Sequence, residues 1–149
     1  MSVMSDDEVL VIERRVAAPP ERVFALWTEP EQLAKWWGPD GYDVPQYDLD
    51  VRKGGAWRTV MRSPDGKALT VSGVYREIDP PRRLVFTWAW DDENGTRGHE
   101  TEITVTFEPA PGGTHLRLLQ QRFHTRLARD NHNRGWISTF DRLERAIAS

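Results

Sequence analysis

Arg129-Asp130-Asn131-His132-Asn133-Arg134-Gly135-Trp136-Ile137-Ser138-Thr139-Phe140-Asp141-Arg142-Leu143-Glu144-Arg145-Ala146-Ile147-Ala148 is the stretch on which the fold turns. Trp136, Phe140, Leu143 and Ile147 recur at steps of four, three and four, the spacing that places side chains on one face of a helix. Asp141, Arg142, Glu144 and Arg145 fall on the other side. An amphipathic helix with so wide an aromatic and aliphatic stripe needs a large apolar partner. Gly135 interrupts it, at about 1 kcal/mol against Ala in an exposed helix interior. Two readings of Gly135 stand: a frayed first turn or plain packing contact, or a place where backbone or ligand comes close.

The residues before this helix supply the partner. Tyr42 to Val51 reads as a strand. Trp57, Thr59 and Met61 alternate with Arg58, Val60 and Arg62, the half-buried strand pattern. Ser63-Pro64-Asp65-Gly66 is a turn signal leading to a return strand, Leu69 to Ile78. Leu84, Phe86, Trp88 and Trp90 share a face of the next strand, and Asp92-Glu93-Asn94-Gly95 carries the Asn-Gly hairpin signal. Thr101, Ile103, Val105 and Phe107 alternate beyond it, and Leu116, Leu118 and Gln120 face one way in a last strand. Nearer the start, Val9 to Ala17 is a first strand on which Arg14 is out of place beside Leu10, Ile12 and Val16. Two short helices follow, Glu21 to Trp27 and one from Pro30 with Leu33, Trp36 and Trp37 on its buried side. Gly54-Gly55 marks a bulge or tight corner.

Strands joined by short turns pair as antiparallel neighbours. The expected fold is therefore α+β, with a curved antiparallel sheet of about six to seven strands packed on the long C-terminal helix. One domain is expected over residues 9–148, with residues 1–8 a flexible N-terminal segment.

Composition narrows the function classes. A net charge of −3 points neither to a nucleic-acid groove nor to a membrane surface. The arginines crowding residues 122–145 are interrupted by acidic neighbours and read as a solvated face. The acidic start reads as no signal peptide. No apolar run approaches the length of about 20 residues that spans a bilayer. With no Cys, disulfide and thiol chemistry are excluded, and a cytoplasmic location is expected. Seven Trp residues imply a core of large flat side chains, several needing a partner for the indole N–H.

The order Ala18-Pro19-Pro20-Glu21-Arg22-Val23-Phe24, Trp27-Thr28-Glu29-Pro30 and Lys35-Trp36-Trp37-Gly38-Pro39 resembles the activator of heat-shock-protein-90 ATPase-like family. So do Gly54-Gly55-Ala56-Trp57-Arg58, Gly73-Val74-Tyr75, Pro81 to Trp88, Gly113-Thr114-His115-Leu116 and His132-Asn133-Arg134-Gly135-Trp136. The resemblance runs from about Val9 to Ala148 and rests on order and spacing rather than on any one motif. It implies the helix-grip fold of the START-like, or SRPBCC, superfamily, in which a curved sheet wraps a long C-terminal helix over an apolar cavity. Some relatives bind lipids, hormones or polyketides, some act as aromatase-cyclases, and some sequester enediyne antibiotics. Eukaryotic members carry an additional chaperone-binding domain, for which this chain is expected to have no room, so a chaperone partner is the less favoured expectation.

No nucleophilic triad is visible, because Cys and a Gly-x-Ser-x-Gly elbow are both missing. His99, His115, His124 and His132 lack ligand spacing such as H-E-x-x-H, so neither metal nor cofactor is expected. The aromatic set of Trp37, Trp57, Tyr75, Trp88, Trp90, Trp136 and Phe140 is either closed core or the wall of a ligand site. With the resemblance in place, a ligand wall completed by Gly135 and by the polar candidates His99, Gln120, Thr139 and Arg58 is expected. Which polar side chains face inward depends on strand register. The leading expectation is a protein that binds a small hydrophobic or aromatic ligand beneath the last helix. The alternatives are a cyclase- or hydrolase-like enzyme with His99 as its weak acid–base candidate, and a protein-interaction module, with a homodimer open.

Overall fold

Seven strands of one antiparallel sheet and three helices make up the described residues, 9–148, of the computed structural model. The segment 1–8, expected to be flexible, lies outside them. β1 (Val9–Val16) leads into α1 (Pro20–Thr28) and the single turn α2 (Pro30–Leu33). β2 (Asp43–Leu49), β3 (Ala56–Arg62), β4 (Ala68–Asp79), β5 (Arg83–Trp90), β6 (Thr101–Ala110) and β7 (Gly113–Gln121) follow as a meander, and α3 (Arg126–Ala148) closes the chain. The sheet order is β1-β7-β6-β5-β4-β3-β2. The first strand thus pairs with the last, and the curved sheet grips α3.

The local chemistry sets the boundaries. Pro20 begins α1, where its missing N–H and fixed φ fit the first helical position. The second helix is shorter than its apolar spacing suggests. It ends at Leu33, and Trp36 and Trp37 sit in a turn beyond it, their amides donating to Leu33 O. Both indoles are nonetheless buried. α3 begins at Arg126, ten residues before the first member of its stripe, and buries Trp136, Thr139, Phe140, Leu143 and Ile147. Burying four such large side chains is worth about 6–12 kcal/mol, comparable to the whole net stability of a domain.

Two oddities of the sequence resolve in three dimensions. Arg14 lies on the inward row of β1, and its guanidinium reaches Asp141 at 2.9 Å and Glu144 at 2.8 Å on α3. It ties the edge strand to the polar side of the gripped helix. Gly73 on β4 stands opposite Trp57 on β3, and a Cβ there would lie 1.8 Å from Thr87 O and 2.6 Å from Trp57 Nε1. Its bare backbone leaves the path along which Trp57 Nε1 donates to Thr87 O at 3.1 Å.

Candidate ligand cavity

The residues of α3 that face the sheet continue the stripe toward the helix start. Ala128, His132, Gly135, Trp136 and Thr139 follow helical spacing and line one side of a cavity of about 460 Å³. Trp88 and Trp90 from β5 form the facing wall, with Met61 and Leu69 beside them. The segment after α2 contributes Trp37, Gly38, Pro39 and Tyr42, and the exposed Asn131 and His124 mark the mouth. Gly135 borders this space without projecting into it. A Cβ there would find only Pro39 Cγ, at 4.0 Å.

The segment 37–42 is a lip fastened to α3. Arg142 Nη1 donates to Trp37 O and Gly38 O, both at 3.0 Å, and to Pro39 O at 3.3 Å. Ser138 Oγ accepts from the Asp40 amide at 2.8 Å, and Arg145 pairs with Asp40 at 3.1 Å. Gly38, at φ +92°, takes a conformation that other residues rarely adopt. Burial pushes the Arg142 guanidinium below its ordinary range, with Asp40 opposing the shift. The carbonyl cage therefore holds a partly desolvated cation.

A hydrogen-bonded pair divides this cavity from a second recess of about 240 Å³. Trp90 Nε1 donates to His132 Nε2 at 2.9 Å, and His132 Nδ1 lies 2.8 Å from Ala128 O. Since the indole can only donate, Nε2 is the unprotonated nitrogen and Nδ1 carries the proton. Burial pushes His132 below the usual histidine range, which agrees with a neutral ring. The second recess shares Trp88, Trp90 and His132 with the first and adds Asp91, Asp92 and His99.

The sequence candidates fall into three groups. Trp37, Trp88, Trp90, Gly135, Trp136 and Thr139 line the larger cavity. Trp57 and Tyr75 lie in a closed region with Phe86 and Leu84, where the residual void of about 10 Å³ is at the lower limit for one water. Burial, with Asp50 nearby, holds the Tyr75 phenol protonated well above its ordinary range. Phe140 and Gln120 are fully buried and lie outside the cavity wall. Gln120 is consumed internally: its Oε1 accepts from Trp136 Nε1 at 2.9 Å, and its Nε2 donates to Thr101 Oγ1 at 2.8 Å. His99 is exposed at the second recess, its ring tilted against that of His124 and bonded to Arg122 O. Arg58 points to solvent, on the outer row of β3.

Sequence reading passed over Ala128, His132 and the Gly38–Tyr42 lip. The first two follow from extending the helical spacing back from Trp136 by four and eight residues. Nothing in the lip's sequence beyond its turn residues marks it as a wall.

The larger cavity has no Asp, Glu, Lys or Arg in its wall. Among the described residues no three His, Asp or Glu side chains gather as a metal site. The arrangement suits enclosure of an apolar body more than proton transfer.

The family model described as Activator of Hsp90 ATPase homolog 1-like protein matches residues 17–148. The chain belongs to this family. Its fold is the START-like helix-grip of that family. A solved structure of the AHSA1 protein from Silicibacter pomeroyi is 34% identical with TM-score 0.88, over 94% of this chain and 97% of that one. A protein from Nitrosomonas europaea is 26% identical with TM-score 0.82, over 97% of each chain. An uncharacterised protein of Schizosaccharomyces pombe is 30% identical over 104 residues, 70% of this chain. This AHSA1-type chain spans about a quarter of that relative, 26% of its length. No described helix is long and apolar enough to cross a membrane.

Proposed function

We propose that this AHSA1-type chain binds a small hydrophobic or aromatic molecule in the cavity beneath α3, and that residues 9–148 act as one unit in doing so. The observation that carries the reading is a cavity of about 460 Å³ walled by Trp37, Trp88, Trp90 and Trp136, within the range of small-molecule sites. Gly135 and the lip held by Arg142 border it. A cytoplasmic location belongs to the same proposal, from the cysteine-free composition. The wall's lack of a carboxylate weighs against the cyclase or hydrolase alternative, which needs an inward acid–base pair. The interaction-module alternative has Leu127 and Ile137 exposed on α3 as its surface, a smaller feature than the cavity.

The test is calorimetric titration of the native protein with two-ring aromatic compounds, repeated on Gly135→Leu. The expected outcome is saturable binding to the native protein that the leucine weakens at least about tenfold, because its side chain occupies the ligand's place. Equal affinity for both proteins would place the ligand elsewhere and defeat the proposal.

A further inference from the structure

We propose that the cavity takes uncharged aromatic molecules bearing a hydroxyl or ring N–H, and that it turns away their carboxylate counterparts. This rests on the cavity being the ligand site argued above, and it adds the chemical class of the ligand.

The first half follows from an inventory of the wall's polar groups. Three of its four indoles have already committed their N–H. Trp37 Nε1 donates to Thr59 Oγ1 at 3.1 Å, Trp90 Nε1 to His132 and Trp136 Nε1 to Gln120. These rings offer the cavity faces and edges but no free donor. The fourth, Trp88 Nε1, is buried without a hydrogen-bond partner and packs among the rings of Trp37, Trp57 and Trp136. Thr139, only 3% exposed, lines the cavity and spends its one hydroxyl proton on Gly135 O at 2.7 Å. What remains on its oxygen are lone pairs, so toward the cavity it can only accept. A ligand that meets this oxygen must bring the proton itself. Tyr42 and Asn131, which can both donate and accept, belong to the lip and the mouth.

The second half follows from charge. No cationic side chain lines the cavity. Arg142, which holds the lip, has its guanidinium turned to the lip's carbonyl groups. His132 cannot become a cation without losing the bond from Trp90, since protonation would set two donors face to face. Across that pair Asp91 and Asp92 line the second recess, and Asp92 Oδ1 accepts from the amides of Asn94 and Thr96. A ligand carboxylate would therefore leave water for an apolar space that offers it no cation, only the neutral donors of the lip and mouth and a Trp88 N–H packed among rings.

Calorimetry at pH 8, where an ordinary histidine is neutral, tests both halves with 2-naphthol, 2-methoxynaphthalene and 2-naphthoate. The expected order is 2-naphthol first, its methyl ether about two- to tenfold weaker for want of a donor, and 2-naphthoate at least about tenfold weaker than 2-naphthol. Thr139→Val should lower 2-naphthol to the level of the ether and leave the ether's affinity unchanged, whereas Thr139→Ser should keep the preference. The inference is overturned if 2-naphthoate binds as well as 2-naphthol, or if Thr139→Val keeps the full preference for 2-naphthol. Equal binding of 2-naphthol and its ether to the native protein also defeats it while leaving the cavity reading intact. If none of the three binds the native protein, the cavity reading itself fails.

Discussion

The interior has two aromatic halves that meet at Trp37, whose ring packs on Trp57 at 6.1 Å and on Trp136 at 5.8 Å between centroids. On one side, Trp57, Tyr75, Leu84 and Phe86 leave a void of about 10 Å³. On the other, Trp88, Trp90 and Trp136 border about 460 Å³. Residue type does not explain the difference, since both halves are built from large aromatic rings. The approach of backbone does. Each half contains a glycine. At Gly73 a neighbouring carbonyl would stand 1.8 Å from an added Cβ, whereas at Gly135 the nearest atom is a proline ring carbon at 4.0 Å. The first glycine lets two strands and an indole close on one another, and the second stands where helix and lip leave open space.

The largest effect is therefore expected at Gly73. In Gly73→Ala the methyl group meets Thr87 O and Trp57 Nε1 together; Gly73 pairs with Trp57 on β3, and β5 is pinned to β4 at Ser72–Ala89 and Tyr75–Phe86 on either side of it. Overpacking of this kind costs about 3 kcal/mol or more when the clash is with main chain. Urea unfolding of the variant would show the loss. A midpoint close to the native one would mean that the closed half can expand, and the contrast drawn above would weaken.

Next comes the lip. Arg142→Met keeps the length of the side chain but removes the donors to Trp37 O, Gly38 O and Pro39 O. Charge-assisted bonds in a partly buried setting are worth roughly 1.5–3 kcal/mol. We expect a loss of about 2 kcal/mol with faster amide exchange confined to residues 38–42. Uniform loss of protection across the sheet would instead make Arg142 part of the global core.

Much of this was legible in the sequence. The stripe of Trp136, Phe140, Leu143 and Ile147 marks α3, and the alternation of β3 to β7 marks the sheet that α3 needs. The inward row of β5 also put Trp88 and Trp90 on the correct face. The same alternation could not tell Trp57 from Trp88, because pattern reports a face and not the distance across it. His99 escaped for another reason. The chain from Asn94-Gly95 to Thr101 runs as a loop, so strand alternation does not reach it. His132 was legible in spacing but hidden by chemistry, since a polar residue at that position breaks an apolar stripe. Arg14 needed partners 127 and 130 residues away, which no local pattern supplies.

The partition between the cavity and the recess gives a pH effect. Burial lowers the pKa of His132, with the Ala128 carbonyl opposing and His124 reinforcing the shift. As pH falls through about 6.5 the unfolded chain takes up this proton, while the folded chain takes it up only at lower pH. The unfolded state then binds more protons, so stability falls with acidification across that window, by at most about 1.4 kcal/mol per pH unit. Below the folded value both states are protonated and the loss stops growing. His132→Gln can still accept from Trp90 through its amide oxygen but does not titrate. Urea midpoints at pH 7.5 and 5.5 should differ less in the variant than in the native protein. Equal differences would show that His132 charges without disturbing its pair.

The smallest effect, and the one that sharpens the contrast most, is expected at Gly135. Alanine has the better helix propensity by up to about 1 kcal/mol, and the position lies well inside α3. The added methyl group meets nothing closer than Pro39 Cγ at 4.0 Å, an ordinary contact distance. No overpacking term therefore opposes the propensity gain, and Gly135→Ala should melt at or slightly above the native temperature. The same substitution in the closed half is expected to cost several times more, with opposite sign. The missing methyl then leaves cavity volume beside Trp136 where alanine would give the more stable helix. Binding of 2-naphthol should weaken modestly in Gly135→Ala while stability holds, separating the two quantities in one variant. A loss of more than about 1 kcal/mol would mean that helix and lip are packed in solution as tightly as Gly73 and Thr87, and the two halves would then be one closed core.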